Sequence, residues 1–142
     1  MSRRLRLISS LSLIILSLMM GTVHGQGTIV VWGLASDPPP TNNDVLAIAV
    51  GGDHCLGVKS DGTIVAWDEN NFGQCNVPSP NDDFVAAAAG QYHSLGLKSD
   101  GSIMAWGSNG LGQCNVPSPN ADFVAFSACF WHNLGLKSDG RI

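Results

Sequence analysis

Histidine, a side chain often used in catalysis and metal binding, recurs in this sequence at one fixed interval. His54, His93 and His132 are 39 residues apart. A zinc ion needs several ligands within about 2.0–2.3 Å. Sheets stacked on one another lie about 10 Å apart, so equivalent histidines in neighbouring repeats are too distant to share an ion. We therefore predict no metal site, and expect each histidine to begin a strand and to hydrogen-bond locally.

Aspartate recurs at the same interval, and its carboxylate is the other group here that could perform acid–base chemistry. Asp61, Asp100 and Asp139 each lie between a serine and a glycine. Ser-Asp-Gly is typical of a tight turn, in which the aspartate accepts hydrogen bonds from the nearby backbone. The adjacent Asp82 and Asp83 lead into a strand, where neighbouring side chains point to opposite faces. We predict turn chemistry for the repeated aspartates and no catalytic pair.

The other groups that perform chemistry form no recognisable motif. The sequence has no nucleophile elbow, no phosphate-binding glycine loop and no zinc-protease motif. Cys75 and Cys114 occupy equivalent places in two repeats, too far apart for a disulfide, which needs Cα atoms within about 7 Å. Cys55 and Cys129 have no counterparts, so the disulfide state stays open, with four separate thiols favoured. We predict a protein that is not an enzyme and has no cofactor.

These side chains are positioned by a repeated unit of 39 residues. Residues 62–100 and 101–139 are identical at 26 of 39 positions. A repeat of this period indicates one supersecondary unit that stacks on its copies to bury a shared face.

Each unit has the pattern of a small antiparallel sheet. Residues 83–90 form an apolar run, residues 93–98 alternate between apolar and polar, and residues 103–107 follow a Ser-Asp-Gly turn. A helix through residues 86–89 is the competing prediction, because alanine is the best helix former. The run is too short to nucleate a helix alone, so we favour a strand. Repeated sheets of this size stack as blades of a β-propeller, and we predict an all-β fold with a partial β-propeller of about three antiparallel blades.

The repeated pattern resembles the regulator-of-chromosome-condensation repeat family. The residues that carry the resemblance are AAAAGQYHSLGLKSDGSIMAWGSNGLGQCNVP and AIAVGGDHCLGVKSDGTIVAWDENNFGQCNVP. The 39-residue unit is similar to the short-repeat bacterial branch, typified by the secreted β-lactamase-inhibitor propeller. In a tryptophan-aspartate repeat, by contrast, Gly-His lies far upstream of Trp-Asp. Here His54 precedes Trp67 by only 13 residues, so the sequence does not have the pattern of a tryptophan-aspartate repeat.

The resemblance implies seven blades, more than residues 26–142 supply. A return strand at residues 27–33 comes first, and residues 139–142 reach only the start of another. Three explanations stay open: a truncated gene or fragment, self-association that completes a ring, and an open arc of three blades. In each unit we expect the tryptophan, at Trp32, Trp67 and Trp106, to pack between blades with its N–H bonded at the blade edge.

Residues 1–25 have the features of a secretory signal peptide. Arg3, Arg4 and Arg6 precede an apolar run from Leu7 to Val23. Gly25 is a small residue, which suits cleavage by signal peptidase at this point. We predict a secreted, periplasmic or cell-surface protein, which contacts a membrane only through this segment if it is not cleaved. The remaining chain has four basic residues against 11 acidic ones, a net charge of −7. Such a charge excludes nucleic acid as a partner on electrostatic grounds.

The residues just before each histidine vary while the rest of the unit repeats. They read Gly-Asp before His54, Gln-Tyr before His93 and Phe-Trp before His132. Loops at the rim of a rigid scaffold carry binding, and exposed aromatic residues are the usual anchors of protein interfaces. In the inhibitor propeller that the repeats resemble, residues at this position face the partner. The predicted partner-binding residues are Tyr92, Phe130, Trp131 and, more weakly, Asp53.

The function that follows is binding of a protein or a cell-surface polymer, with an inhibitor as one specific version. The family resemblance also implies an alternative, a regulator of guanine-nucleotide exchange like the nuclear members. The charge and the signal sequence favour the binding role.

Overall fold

The computed structural model of the protein describes residues 29–31 and 44–140, and all the regular elements in these ranges are strands. In chain order they are β1 (Val45–Val50), β2 (His54–Lys59), β3 (Ile64–Asp68), β4 (Phe84–Ala89), β5 (His93–Lys98), β6 (Ile103–Gly107), β7 (Phe123–Cys129) and β8 (His132–Lys137). Within the same ranges no helix is long and apolar enough to cross a bilayer. The predicted signal peptide and Trp32 lie outside the described residues.

The strands form three small antiparallel sheets that follow one another along the chain. Two sheets have three strands each, in the orders β1-β2-β3 and β4-β5-β6, and the third pairs β7 with β8. We call them blades 1, 2 and 3. The all-β partial propeller predicted from the repeat is confirmed, and so is the strand through Ala86–Ala89, where β4 pairs with β5.

The Ser-Asp-Gly segments are the hairpin turns that the sequence predicts. Gly62 and Gly101 have φ angles of 80° and 82°, a conformation that a side chain would strain. The Asp61 carboxylate accepts hydrogen bonds from the backbone N–H and the hydroxyl of Thr63, at 3.0 and 2.6 Å. These two bonds are the main reason why the pKa of the Asp61 carboxyl lies below its usual value. Asp100 is bonded to Ser102 in the same way. The repeated aspartates therefore stabilise turns.

The hydrophobic core lies between blades rather than inside any one of them. Leu56 and Val58 on β2 pack against Phe84 and against Trp106 of the next blade. The equivalent cluster between blades 2 and 3 contains Leu95, Leu97, Ile103 and Phe123. Burying one such side chain contributes roughly 1.5–3 kcal/mol, and a single blade has nothing to bury it against. Stacking is therefore the source of stability.

Candidate binding rim

One edge of the stacked blades is formed by the connections that precede β2, β5 and β8 and by the loops that follow β3 and β6. The backbone N–H of Glu69 donates to the carbonyl of Asp53 at 2.9 Å, and the N–H of Ser108 donates to the carbonyl of Tyr92 at 2.8 Å. These bonds hold the two kinds of loop side by side. We call this edge the loop rim. The opposite edge, which holds the Ser-Asp-Gly turns, is the hairpin rim.

Aromatic rings form a continuous row along the loop rim. The ring of Tyr92 lies 4.7 Å from that of Phe72 and 5.4 Å from that of Trp131, measured between centroids, with tilted planes. Both separations suit favourable aromatic pairs. Phe72 and Trp131 are exposed and Tyr92 is half-buried between them. Because each ring comes from a different blade, the row spans the stack.

The remaining two predicted contact residues lie on the same rim. The carbonyl of Phe130 accepts a hydrogen bond from the backbone N–H of Gln91 at 3.0 Å, and the Phe130 ring is exposed. The Gln91 side chain donates from Nε2 to the Asp53 carboxylate at 3.3 Å. The structure therefore brings Asp53, Tyr92, Phe130 and Trp131 to one edge. Whether they bind a partner stays a prediction.

Phe72 belongs to this surface, although the sequence did not single it out. It lies in the variable loop after β3, among Glu69, Asn70 and Asn71. Its equivalent in the next repeat is Leu111, also an exposed apolar residue in a polar loop. An apolar residue at this loop position in both repeats is the sequence feature from which Phe72 could have been identified.

The lysines of the described residues lie at only one of the two rims. The loop rim carries Asp53 and Glu69, and residues 51–53, 69–74, 90–92, 108–113 and 129–131 include no lysine or arginine. Lys59, Lys98 and Lys137 all lie at the hairpin rim, where β2, β5 and β8 end. Lys98 pairs with Asp82 there at 2.9 Å. The loop rim therefore combines aromatic rings with negative charge.

The repeated histidines link one blade to the next. Nε2 of His54 lies 2.8 Å from the Ser94 hydroxyl in blade 2. Nε2 of His93 lies 2.7 Å from Oδ1 of Asn133 in blade 3. Ser94 in turn donates to the carbonyl of Gln74 at 2.8 Å. A hydroxyl that donates its only hydrogen must accept from the histidine, so His54 is protonated at Nε2. Each of the two histidines begins a strand as expected, but the expectation of a local bond is wrong.

Gln74 is the structural residue that the sequence analysis missed. It is fully buried in the connector after β3, and its carbonyl accepts from both Ser94 and the indole N–H of Trp106, the latter at 2.8 Å. The prediction for Trp106, packing between blades with its N–H bonded, is confirmed. The N–H of Trp67 has no partner among the described residues. The hydrogen-bonded chain from His54 to Trp106 thus joins blades 1 and 2.

We predict that acid destabilises the protein through His54. Its Nδ1 is buried and has no partner among the described residues, so a proton there would be poorly solvated. Burial, followed by the charge of His93, lowers the pKa of His54 below 6.5. The unfolded chain then binds more protons below pH 6.5 than the folded one. The free energy of unfolding should fall as the pH drops from about 6.5 toward the folded pKa, as urea titrations would show.

The matched variants are His54→Gln and His132→Gln, because His132 is exposed. The first should flatten the pH dependence and the second should leave it unchanged. A His54→Gln profile that parallels the wild type would contradict the assignment.

The cysteines are unpaired, and three of them are poor nucleophiles. All four are free thiols in the structure. Burial raises the pKa of Cys75 and Cys114, and burial together with a hydrogen bond to Asp68 raises the pKa of Cys55 to about 11. A thiol with a raised pKa holds little thiolate at neutral pH. Among the described residues, no group of three or more histidine, cysteine, aspartate or glutamate side chains could hold a metal ion.

Stacked antiparallel blades, two of them joined through the buried Trp106, define a repeat protein of the β-propeller class. Residues 45–74 and 84–113 match the regulator of chromosome condensation (RCC1) repeat. These two segments are RCC1 repeats, which confirms the family resemblance seen in the sequence. The short-repeat bacterial branch stays a prediction. No curated protein gives a match to the chain.

Solved structures with the same fold include a yeast RCC1 protein and two plant receptor ectodomains. Prp20p of Saccharomyces cerevisiae is 21% identical, with a TM-score of 0.60 over 69% of this chain and 31% of Prp20p. The ectodomain of the Physcomitrella patens receptor kinase CR4 is 27% identical, with a TM-score of 0.59 over 67% of this chain and 27% of the ectodomain. The ectodomain of the Arabidopsis thaliana receptor kinase ACR4 is 22% identical, with a TM-score of 0.62 over 80% of this chain and 40% of the ectodomain. The chain thus spans less than a third of the first two.

Proposed function

We propose that this protein is an exported, non-enzymatic propeller segment whose loop rim binds another protein. The observation that carries the proposal is the aromatic row of Phe72, Tyr92 and Trp131, extended by the exposed ring of Phe130. Truncating an aromatic anchor at the centre of a protein interface typically costs 2 kcal/mol or more. Four such rings on one edge supply several anchors within a single surface.

The composition of the rim indicates the chemistry of the partner. Aromatic faces attract cations as well as apolar groups, and the acidic Asp53 and Glu69 add negative charge without a neighbouring lysine or arginine. The partner surface that complements this rim therefore combines apolar and basic side chains, a combination that protein surfaces provide. An inhibitor that covers a partner's binding pocket is one specific version of this role. A cell-surface polymer is the alternative occupant, since sugar rings also stack on aromatic residues.

Proteins of the same fold support a protein partner as the general case. Prp20p has reported binding properties to Gsp1p and histones, and a structure shows it with Kap60. The predicted signal peptide, and the net charge of −7 for the chain after residue 25, favour binding outside the cell over the nucleotide-exchange alternative.

We predict that the rim aromatics are needed to retain a partner. The exported protein, whose intact mass should correspond to a chain beginning at Gln26, is immobilised and exposed to the secreted and envelope proteins of its own source. Tyr92→Ala and Trp131→Ala should each weaken binding of the retained protein by about 30-fold, the equivalent of 2 kcal/mol. Biolayer interferometry with the purified partner measures the change.

The matched control is Val124→Ala, because Val124 is exposed and apolar but lies near the hairpin rim, at the start of β7. It should bind like the wild type. Partner binding that is unchanged in both rim variants would rule out the proposed site. Retention on purified wall polysaccharide instead, lost in the same variants, would replace the protein partner with a polymer.

A further inference from the structure

The aromatic rings of the loop rim form a line rather than a broad patch. Their centroids follow one another at 4.7 Å from Phe72 to Tyr92 and at 5.4 Å from Tyr92 to Trp131. Phe72 and Trp131 are 53% and 44% exposed, whereas Tyr92 between them is half-buried. The line therefore dips at its centre, with an exposed ring on each side.

This line lies on the rim and not on the flat faces through which the blades stack. Tyr92 has a blade on each side and is still accessible. A further blade on either side would therefore lengthen the line without covering it.

Negative charge lies at one end of the line. Asp53 and Glu69 are exposed residues of blade 1, and the equivalent positions of blade 2 hold Tyr92 and Ser108. The backbone N–H of Glu69 donates to the carbonyl of Asp53, so the two acidic residues lie on adjoining loops. A ligand that follows the line would thus meet two carboxylates at blade 1 and apolar rings over blades 2 and 3.

The line also offers hydrogen-bond donors to a ligand. Among the described residues, neither the Tyr92 hydroxyl nor the Trp131 indole N–H has a hydrogen-bond partner. An indole N–H can only donate, and a phenol hydroxyl can donate as well as accept. Both groups suit a ligand whose backbone carbonyls are free.

Of the regular peptide conformations, a strand and a helix fit this rim poorly. A strand binds by adding to the edge of a sheet, whereas the rim consists of the loops between strands. A helix lays a wide apolar face into a groove. The line is one ring wide at Phe72, whose loop neighbours are the exposed Asn70 and Asn71.

A polyproline II helix matches the line in both length and hydrogen bonding. It has no internal hydrogen bonds, so its carbonyls are free, and one turn of three residues advances about 9 Å. The two steps from Phe72 to Trp131 cover a similar length. Side chains three residues apart in such a segment can therefore contact the two exposed rings, with the chain passing over Tyr92.

We propose that the partner of the loop rim presents a proline-rich segment in the polyproline II conformation, with a basic residue at one end. This rests on the proposed binding role of the rim and names the chemistry of the partner. The proline rings pack on Phe72 and Trp131, and the basic residue pairs with Asp53 or Glu69. Such a segment is extended before it binds, so it loses little conformational entropy.

A flat sugar polymer fits the line less well. The planes of adjacent rings are tilted by 39° and 51°. They do not form the level platform on which a ribbon of sugar rings would stack. Proline rings are compact and can pack against tilted aromatic rings one at a time, so the tilt favours the peptide.

The probe is a fluorescent synthetic peptide with two Pro-x-x-Pro repeats and an arginine at each end, so that either direction places a cation over blade 1. Fluorescence anisotropy should show saturable binding to the whole protein. Tyr92→Ala and Trp131→Ala should each weaken this binding by about 10-fold, since both remove an aromatic anchor. Val124→Ala, near the hairpin rim, should bind like the wild type.

Altered peptides test the two parts of the ligand. Replacing the prolines with alanine should abolish saturable binding, and replacing the arginines with glutamate should weaken it by about 10-fold or more. In a protein that carries Asp53→Asn and Glu69→Gln, the arginine peptide should lose most of its salt dependence. Equal binding of the proline-free peptide, or no saturable binding of the probe at millimolar concentration, would overturn the proposal.

Competition with a purified protein partner separates this proposal from the binding role on which it rests. Excess peptide should displace a partner whose binding depends on Tyr92. A partner that stays bound in saturating peptide, yet is lost in Tyr92→Ala, would leave the binding rim in place and overturn the proline-rich segment. A partner that is indifferent to both rim variants would instead contradict the proposed function, whereas rim-dependent binding of the peptide would still support the segment.

Discussion

Replacing Trp106 with alanine should lower the free energy of unfolding by about 3–5 kcal/mol, the usual cost of removing a large aromatic side chain from a core. The indole fills the space between blades 1 and 2, against Leu56, Ile64 and Phe84, and its N–H donates to the Gln74 carbonyl. Domains are typically stable by only 5–15 kcal/mol, so this loss is a large part of the total. Urea denaturation followed by far-UV circular dichroism measures it.

Two further variants separate the contributions in this result. Trp106→Phe keeps most of the apolar volume but leaves the buried carbonyl with one donor fewer, so it should cost about 1–3 kcal/mol. Val124→Ala changes an exposed residue and should stay within about 0.5 kcal/mol of the wild type. A Trp106→Ala protein as stable as the Val124→Ala control would show that the blades do not depend on this interface.

The second large effect should come from Gly90→Ala, the addition of one methyl group. A Cβ atom at Gly90 would lie 2.1 Å from Cε1 of His93, far inside van der Waals contact. The ring must then move, which breaks its 2.7 Å hydrogen bond to Asn133 in blade 3. Overpacking costs about 1–3 kcal/mol and the lost bond about 1 kcal/mol more. We expect a destabilisation of about 2–4 kcal/mol, measured by urea denaturation, with a shifted His93 ring signal in NMR spectra.

Gly110→Ala is the matched control, since the space around Gly110 contains no atom within 4 Å and its φ is not in the left-handed region. The added methyl group should be neutral or slightly stabilising. Equal stability of the two glycine variants would contradict the account of the buried histidine.

The strands and turns could be predicted from the sequence because their causes are local. Alternation of apolar and polar residues places β5, and Ser-Asp-Gly supplies both the positive φ of Gly101 and the acceptor of Asp100. Identity at one position in every repeat likewise identified the scaffold, including Trp106. The residues that vary before each histidine all proved to lie on one rim, because a repeated scaffold carries equivalent positions to equivalent places.

What the sequence by itself determined was therefore the repeating sheet, its turns and the edge on which the variable residues lie. Only the tertiary structure decided which repeats touch through which atoms. The bond of His54 to Ser94, the two donors on the Gln74 carbonyl and the stacking of Phe72 on Tyr92 each join different blades. Such contacts depend on the distance and rotation between blades, which a repeat period does not encode.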